Sequence, residues 1–149
     1  MLVVADASVL VTLLTEFNEI GKGLAAWLTR LSGDDPELFT IANFTQLEVI
    51  SAVSRQVKSG QLEETAADRA IVMFQQLPTQ RKQLTLPVAR RILELRNNFS
   101  AYDAAYLAVA EALQSETKRS DVVLATIDSR LANAPTNLHL AQVELFEVV

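Results

Sequence analysis

The chain opens on an unbroken apolar run, Leu2-Val3-Val4-Ala5, stopped by Asp6 and followed by Val9-Leu10-Val11 and Leu13-Leu14 at helical spacing. A short continuous apolar run feeding directly into a 3.6-residue period predicts a buried strand that turns straight into a helix. The device returns near the other end. There Val122-Val123-Leu124-Ala125-Thr126 reads as a strand, Asp128 follows it, and Ser129-Arg130-Leu131-Ala132 begins a short helix. Between the two, the periodicity predicts a helix over 16–31, carrying Ile20, Leu24, Ala25, Trp27, Leu28 and Leu31, with Trp27 as a core anchor and Ser32-Gly33-Asp34-Asp35-Pro36 as its stop. A short strand over 38–42 leads into a helix over 43–58 whose buried side reads as Phe44, Leu47, Ile50, Val53 and Val57. A further helix over 61–76 has Leu62, Ala66, Ile71 and Phe74 on one side and ends at Pro78. Leu84-Thr85-Leu86 reads as a strand and Pro87 as the first turn of a helix over 88–97.

The most regular helix runs from Ser100 through Leu113, small residues lining one side. A surface loop is expected over 115–121, and the tail at 138–140 and 143–149 supplies one or two closing strands. Strands alternating with single or paired helices predict an α/β fold: a three-layer α/β/α sandwich with a mostly parallel central sheet of four to five strands. No repeat or linker interrupts it, so residues 1–149 read as one domain.

Composition narrows the chemistry. At 149 residues, half of them hydrophobic, a sizeable core is expected. With no cysteine, thiolate nucleophiles and cysteine-based zinc sites are excluded, which suits a reducing, cytoplasmic location. The single histidine, His139, excludes a multi-histidine metal site within one chain and reads as a packed or surface residue. Leu2 to Leu14 is too short to span a membrane, is interrupted by Asp6, and lacks the basic flank of a signal peptide. Gly21-Lys22-Gly23 lacks the longer glycine-rich loop and Lys-Ser/Thr of a Walker A site. A net charge of -5 argues against gripping nucleic acid by bulk positive charge, so a polyanionic substrate must be met by local lysines and arginines or by bound cations.

Four acids stand out. Asp6 and Asp128 each end a predicted strand, and Asp103 opens a predicted helix within a Ser-x-x-Asp capping pattern. For all three, helix capping is the plain structural alternative. Glu48 has Phe44, Thr45, Ser51 and Ala52 one turn away, a half-apolar setting that demands a partner, either Arg55 two turns on or a metal ion. In a parallel sandwich, strand ends and helix starts share one rim, so the four acids can converge there. Their mutual repulsion would then call for a cation, and an all-oxygen set selects Mg²⁺ or Mn²⁺. Such ions activate water and neutralise phosphate, which points to phosphodiester hydrolysis, with Ser8 and Thr126 assisting through their hydroxyls.

The fragments Asp6-Ala7-Ser8, Leu47-Glu48-Val49-Ile50-Ser51-Ala52, Tyr102-Asp103-Ala104-Ala105-Tyr106-Leu107-Ala108 and Thr126-x-Asp128-x-x-Leu131 resemble, in order, those of the PIN-domain family, in particular the VapC-type ribonuclease toxins of toxin-antitoxin pairs. The resemblance implies a PIN-like fold, metal binding by Asp6, Glu48, Asp103 and Asp128, with Asp6 and Asp103 mattering most, and cleavage of RNA. It also implies a homodimer inhibited by a small antitoxin. Two departures are a missing proline before Glu48 and a longer loop over 115–121. Arg55, Lys58, Arg81, Lys82 and Arg96 are the basic residues expected to shape RNA choice. The competing reading is a PIN-like binding or regulatory module without nuclease activity. An aspartyl-phosphate mechanism at Asp6 is disfavoured, because Ala5 and Ser8 occupy the places where a second acid is wanted.

Overall fold

The computed structural model describes residues 1–33, 39–77, 79–138 and 141–148. Strand β1 (Leu2–Ala5) passes through Asp6 into helix α1 (Ala7–Thr15), and α2 (Glu19–Ser32) follows. Strand β2 (Phe39–Ala42) leads to α3 (Thr45–Lys58) and α4 (Glu64–Gln76); then come β3 (Gln80–Lys82), α5 (Leu86–Glu94), α6 (Ala101–Thr117), β4 (Val122–Thr126), α7 (Ser129–Ala132) and β5 (Gln142–Leu145). The sheet order is β3-β2-β1-β4-β5 and every pairing is parallel. This matches the expected sandwich at the upper end of its strand count.

The two central strands explain why the sheet is parallel. All of β1 and β4 is buried on both faces, which is what continuous apolar runs permit and alternating ones do not. Leu2, Val4, Val122 and Leu124 face a layer built on α5 and α6, with Leu107, Val109 and Leu113 at its heart. Val3, Ala5, Val123 and Ala125 face the opposite layer, made by α1 to α4, with Leu10, Leu14, Leu24, Val49 and Phe74. Trp27 sits half-buried at the edge of that second layer, its ring centroid 5.4 Å from that of Phe146, and so borders the core it was expected to anchor.

Several boundaries and faces differ from expectation. The third strand is Gln80–Lys82, and Leu86 begins α5. Period reading favoured the apolar Leu84-Thr85-Leu86, but an edge strand tolerates charge, and Arg81 and Lys82 blunt this one against further pairing. Helix α3 buries Thr45, Val49 and Val53, whereas Leu47 and Ile50 are 68% and 39% exposed. It packs against both α1 and α4, and the i, i+4, i+8 stripe reaches both while the stripe through Leu47 does not. Leu62 precedes α4, which turns Ala70 and Phe74 inward. The loop expected from residue 115 is an extension of α6 to Thr117, so the connection is only 118–121. It turns on Lys118 in the left-handed region (φ 53°), and Glu116 is tied to Lys82 at 2.6 Å. Arg91 is half-buried, forking onto Glu111 of α6 and donating to the Leu138 carbonyl. The tail gives one described strand, β5. The Asp34–Pro36 stop, Leu38, Pro78 and the pair His139-Leu140 lie outside the described residues. Among the described residues, no helix is long and apolar enough to cross a membrane.

Candidate active site

In the order β3-β2-β1-β4-β5 the chain leaves β1 toward β2 on one side and returns to β4 on the other, so the crevice between the carboxyl ends of β1 and β4 is the topological switch point. Asp6 follows β1 and Asp128 follows β4, both at that crevice. The Asp6 backbone N–H donates to the Ala125 carbonyl at 3.2 Å, carrying the ladder one residue past the strand. The Asp6 side chain does cap α1: its Oδ1 accepts from the Val9 N–H at 3.1 Å and from Ser8 Oγ at 2.6 Å. Its Oδ2 accepts from Thr126 Oγ1 at 2.5 Å. Three of the roughly four acceptor positions of a carboxylate are thus filled. Ser8 and Thr126 lock the two strand ends together in return, since Ser8 Oγ accepts from the Ile127 N–H and Thr126 Oγ1 from the Asp128 N–H. Asp6 is only 5% exposed, and burial pushes its carboxyl above the usual range despite these bonds, with Asp128 adding to the rise.

Glu48 finds its partner in Tyr106, which sequence reading placed in a motif without a role. The Tyr106 hydroxyl donates to Glu48 Oε1 at 2.7 Å. Having one proton, it must accept from the Ala7 N–H at 3.2 Å and from Thr45 Oγ1 at 3.0 Å. One phenol therefore ties α6 to both α1 and α3 at the rim. Arg55, the alternative partner, donates instead to Ser51 Oγ at 3.0 Å. The usable signal was spacing: Tyr106 lies three residues after Asp103, on the same helix face. Burial raises the Glu48 carboxyl, Asp6 and Asp103 raise it further, and the Tyr106 bond opposes them.

Asp103 is not the cap of α6. Ser100 is, accepting from the Asp103 N–H at 3.2 Å, and the Asp103 carboxyl is raised by burial and by Asp128 while Ser100 and Arg130 pull it down. Asp128 caps α7 through the Arg130 N–H at 2.9 Å and pairs with the Arg130 guanidinium at 3.0 Å, which holds it below the usual range. Each acid thus acts electrostatically on at least one of the others. Among the described residues, Asp6, Glu48 and Asp103 have no ion-pair partner.

This donor set fits a hard divalent cation by charge and chemistry. Among the described residues no three acids are set tightly enough to enclose an ion by themselves. Mg²⁺ keeps several waters and is completed by phosphate oxygens, so carboxylates at this spacing would reach it partly through water. Beside the acids opens a cavity of about 860 Å³ lined by α1, α3 and the start of α6, including Ser8, Glu48, Arg55 and Tyr102.

Residues 3–137 match the family model described as PIN domain. Ribonuclease VapC3 of Mycobacterium tuberculosis is 31% identical over 137 residues, covering 92% of this chain and 90% of that protein. Ribonuclease VapC9 of the same organism is 28% identical over 132 residues, covering 89% and 90%. Among solved structures, VapBC2 from Rickettsia felis, bound to a DNA fragment from its promoter, has a TM-score of 0.65 over 99% of this chain and 100% of that chain, at 12% identity. The family match starts in β1, runs past Asp128, and agrees with the fold throughout: the chain belongs to the PIN domain family.

Proposed function

We propose that the protein is a metal-dependent endoribonuclease, the toxin of a VapBC-type toxin-antitoxin pair, acting in the cytoplasm. The observation that carries this reading is that Asp6 and Asp128 end neighbouring parallel strands, with Asp128 raising the Asp6 and Asp103 carboxyls and Asp6 and Asp103 raising Glu48, in a chain whose curated relatives are named ribonucleases.

Asp6, Glu48, Asp103 and Asp128 would hold the cation. When bound, Mg²⁺ or Mn²⁺ supplies an activated water and neutralises charge on the phosphate. Ser8 and Thr126 keep the Asp6 carboxylate in one orientation, and Tyr106 does the same for Glu48. A rim carboxylate not directly on the cation would take the proton released as water attacks phosphorus and return it to the leaving oxygen as the P–O bond breaks. Arg55, in the adjoining cavity, is the basic group placed to meet the strand. A small antitoxin is the partner this reading assigns, and the exposed Leu47 of α3, which lines the cavity, offers it an apolar foothold with Ile50 three residues on.

Purified protein incubated with Mn²⁺ and a mixed RNA set should cleave RNA, and EDTA should stop it. Asp6→Asn should lower the rate by more than about 100-fold, since loss of a direct ligand exceeds the 10- to 100-fold effect of an outer-shell change. Cleavage that persists undiminished in Asp6→Asn would remove the site assignment.

A further inference from the structure

We propose that the cavity beside the acids is a subsite for one unpaired nucleotide of single-stranded RNA, its base stacked on the Tyr102 ring and a phosphate oxygen held by Arg55. This deepens the ribonuclease reading and rests on it.

Tyr102 stands in the first turn of α6, next to Asp103, lines the cavity and is 58% exposed. Among the described residues its hydroxyl makes no hydrogen bond, so neither burial nor bonding within the fold accounts for a large aromatic at the mouth of an acidic site. Leu47, on the wall contributed by α3, presents a second bare apolar surface to the same space. Flat aromatic and aliphatic groups lining a wet cavity suit a base face, which every base has and which a paired helix hides.

Arg55 supplies the other half. Of the other basic candidates, Lys82 pairs with Glu116 at 2.6 Å, Arg81 lies over the Phe74 ring at 4.9 Å and Arg96 donates to the Leu93 carbonyl at 2.7 Å, and neither these nor Lys58 line this cavity. Arg55 donates to Ser51 Oγ and, among the described residues, has no carboxylate partner, although acids outnumber bases 18 to 13 in this chain. A guanidinium left without an acid in a cavity that also contains Glu48 is free to fork onto a phosphate. The strand would then pass from this subsite to the acids with one base removed from the stack.

The test measures binding by fluorescence anisotropy in Mg²⁺, in an Asp6→Asn background so that no cleavage intervenes. The probes are a short single-stranded RNA of mixed sequence and an abasic strand of equal length. Tyr102→Ala should weaken the base-bearing probe by about ten-fold and leave the abasic probe unchanged, while Tyr102→Phe should restore binding. Arg55→Gln should weaken both probes and reduce the slope of log K against log salt by about 0.7, the share of one phosphate on a single strand. Equal losses on both probes for Tyr102→Ala, no loss at all, or an unchanged salt slope for Arg55→Gln would overturn the subsite while leaving the nuclease standing. If the unmodified protein with Mn²⁺ cleaves no RNA and neither probe binds, the ribonuclease reading fails first and the subsite with it.

Discussion

Tyr106 has one proton and two lone pairs, and all three are committed: the proton to Glu48, the lone pairs to the Ala7 N–H and the Thr45 hydroxyl. Tyr106→Phe keeps the ring against Phe44, whose centroid is 5.0 Å away, but strips partners from three groups at the rim. A loss of about 1–3 kcal/mol in denaturant unfolding is expected, since removing one partner leaves the others unsatisfied. The acids themselves act in the opposite sense. Asp6, Glu48 and Asp103 are all raised, first by burial. A carboxyl with a higher pKa folded than unfolded binds more protons in the native state, so the metal-free protein loses stability as pH rises from about 4 through the raised native values. Asp6→Asn removes one such group. In EDTA its unfolding temperature should therefore fall less between pH 4 and pH 7 than that of the parent; an equal or steeper fall would contradict the assigned direction.

At the scale of elements, the Gly21-Lys22-Gly23 triplet lies within a helix turn of α2 and forms no phosphate loop. Its two glycines have different reasons to exist. A Cβ on Gly21 would fall 1.7 Å from the Glu16 carbonyl oxygen, where the α1–α2 connection crosses the helix, whereas one on Gly23 would rest 3.6 Å from the Phe146 ring. Gly21→Ala should destabilise by about 1–3 kcal/mol, and Gly23→Ala should stabilise by about 0.5–1 kcal/mol, both read as shifts in the denaturant midpoint. Helix α3 teaches a related lesson. Its sequence contains two apolar stripes that share Val53, and periodicity alone does not rank them. Packing against α1 and α4 chose Thr45, Val49 and Val53, which turned Glu48 to the rim and left Leu47 and Ile50 outside.

For the whole molecule, the parallel order places two strand-end acids side by side although 121 residues follow Asp6 before the chain reaches Asp128. The homodimer implied by family resemblance is our proposal at this scale. Leu86 and Leu93, seven residues apart on one face of α5, are 62% and 63% exposed, an apolar stripe that an isologous contact would cover. Sedimentation should give a dimer for the parent chain and a shift toward monomer for Leu93→Glu; a monomeric parent at working concentration would remove the dimer.

By itself the sequence determined the central strands and their parallel pairing and singled out the four acids, because continuous apolar runs admit few environments and a carboxylate at the end of one is conspicuous. Only the tertiary structure decided which stripe of α3 is buried, that a charged edge strand replaces the apolar one expected nearby, that Tyr106 rather than Arg55 holds Glu48, and that Arg130 claims Asp128. Those are choices among neighbours far apart in sequence, and local periodicity carries no information about what a side chain meets across the rim.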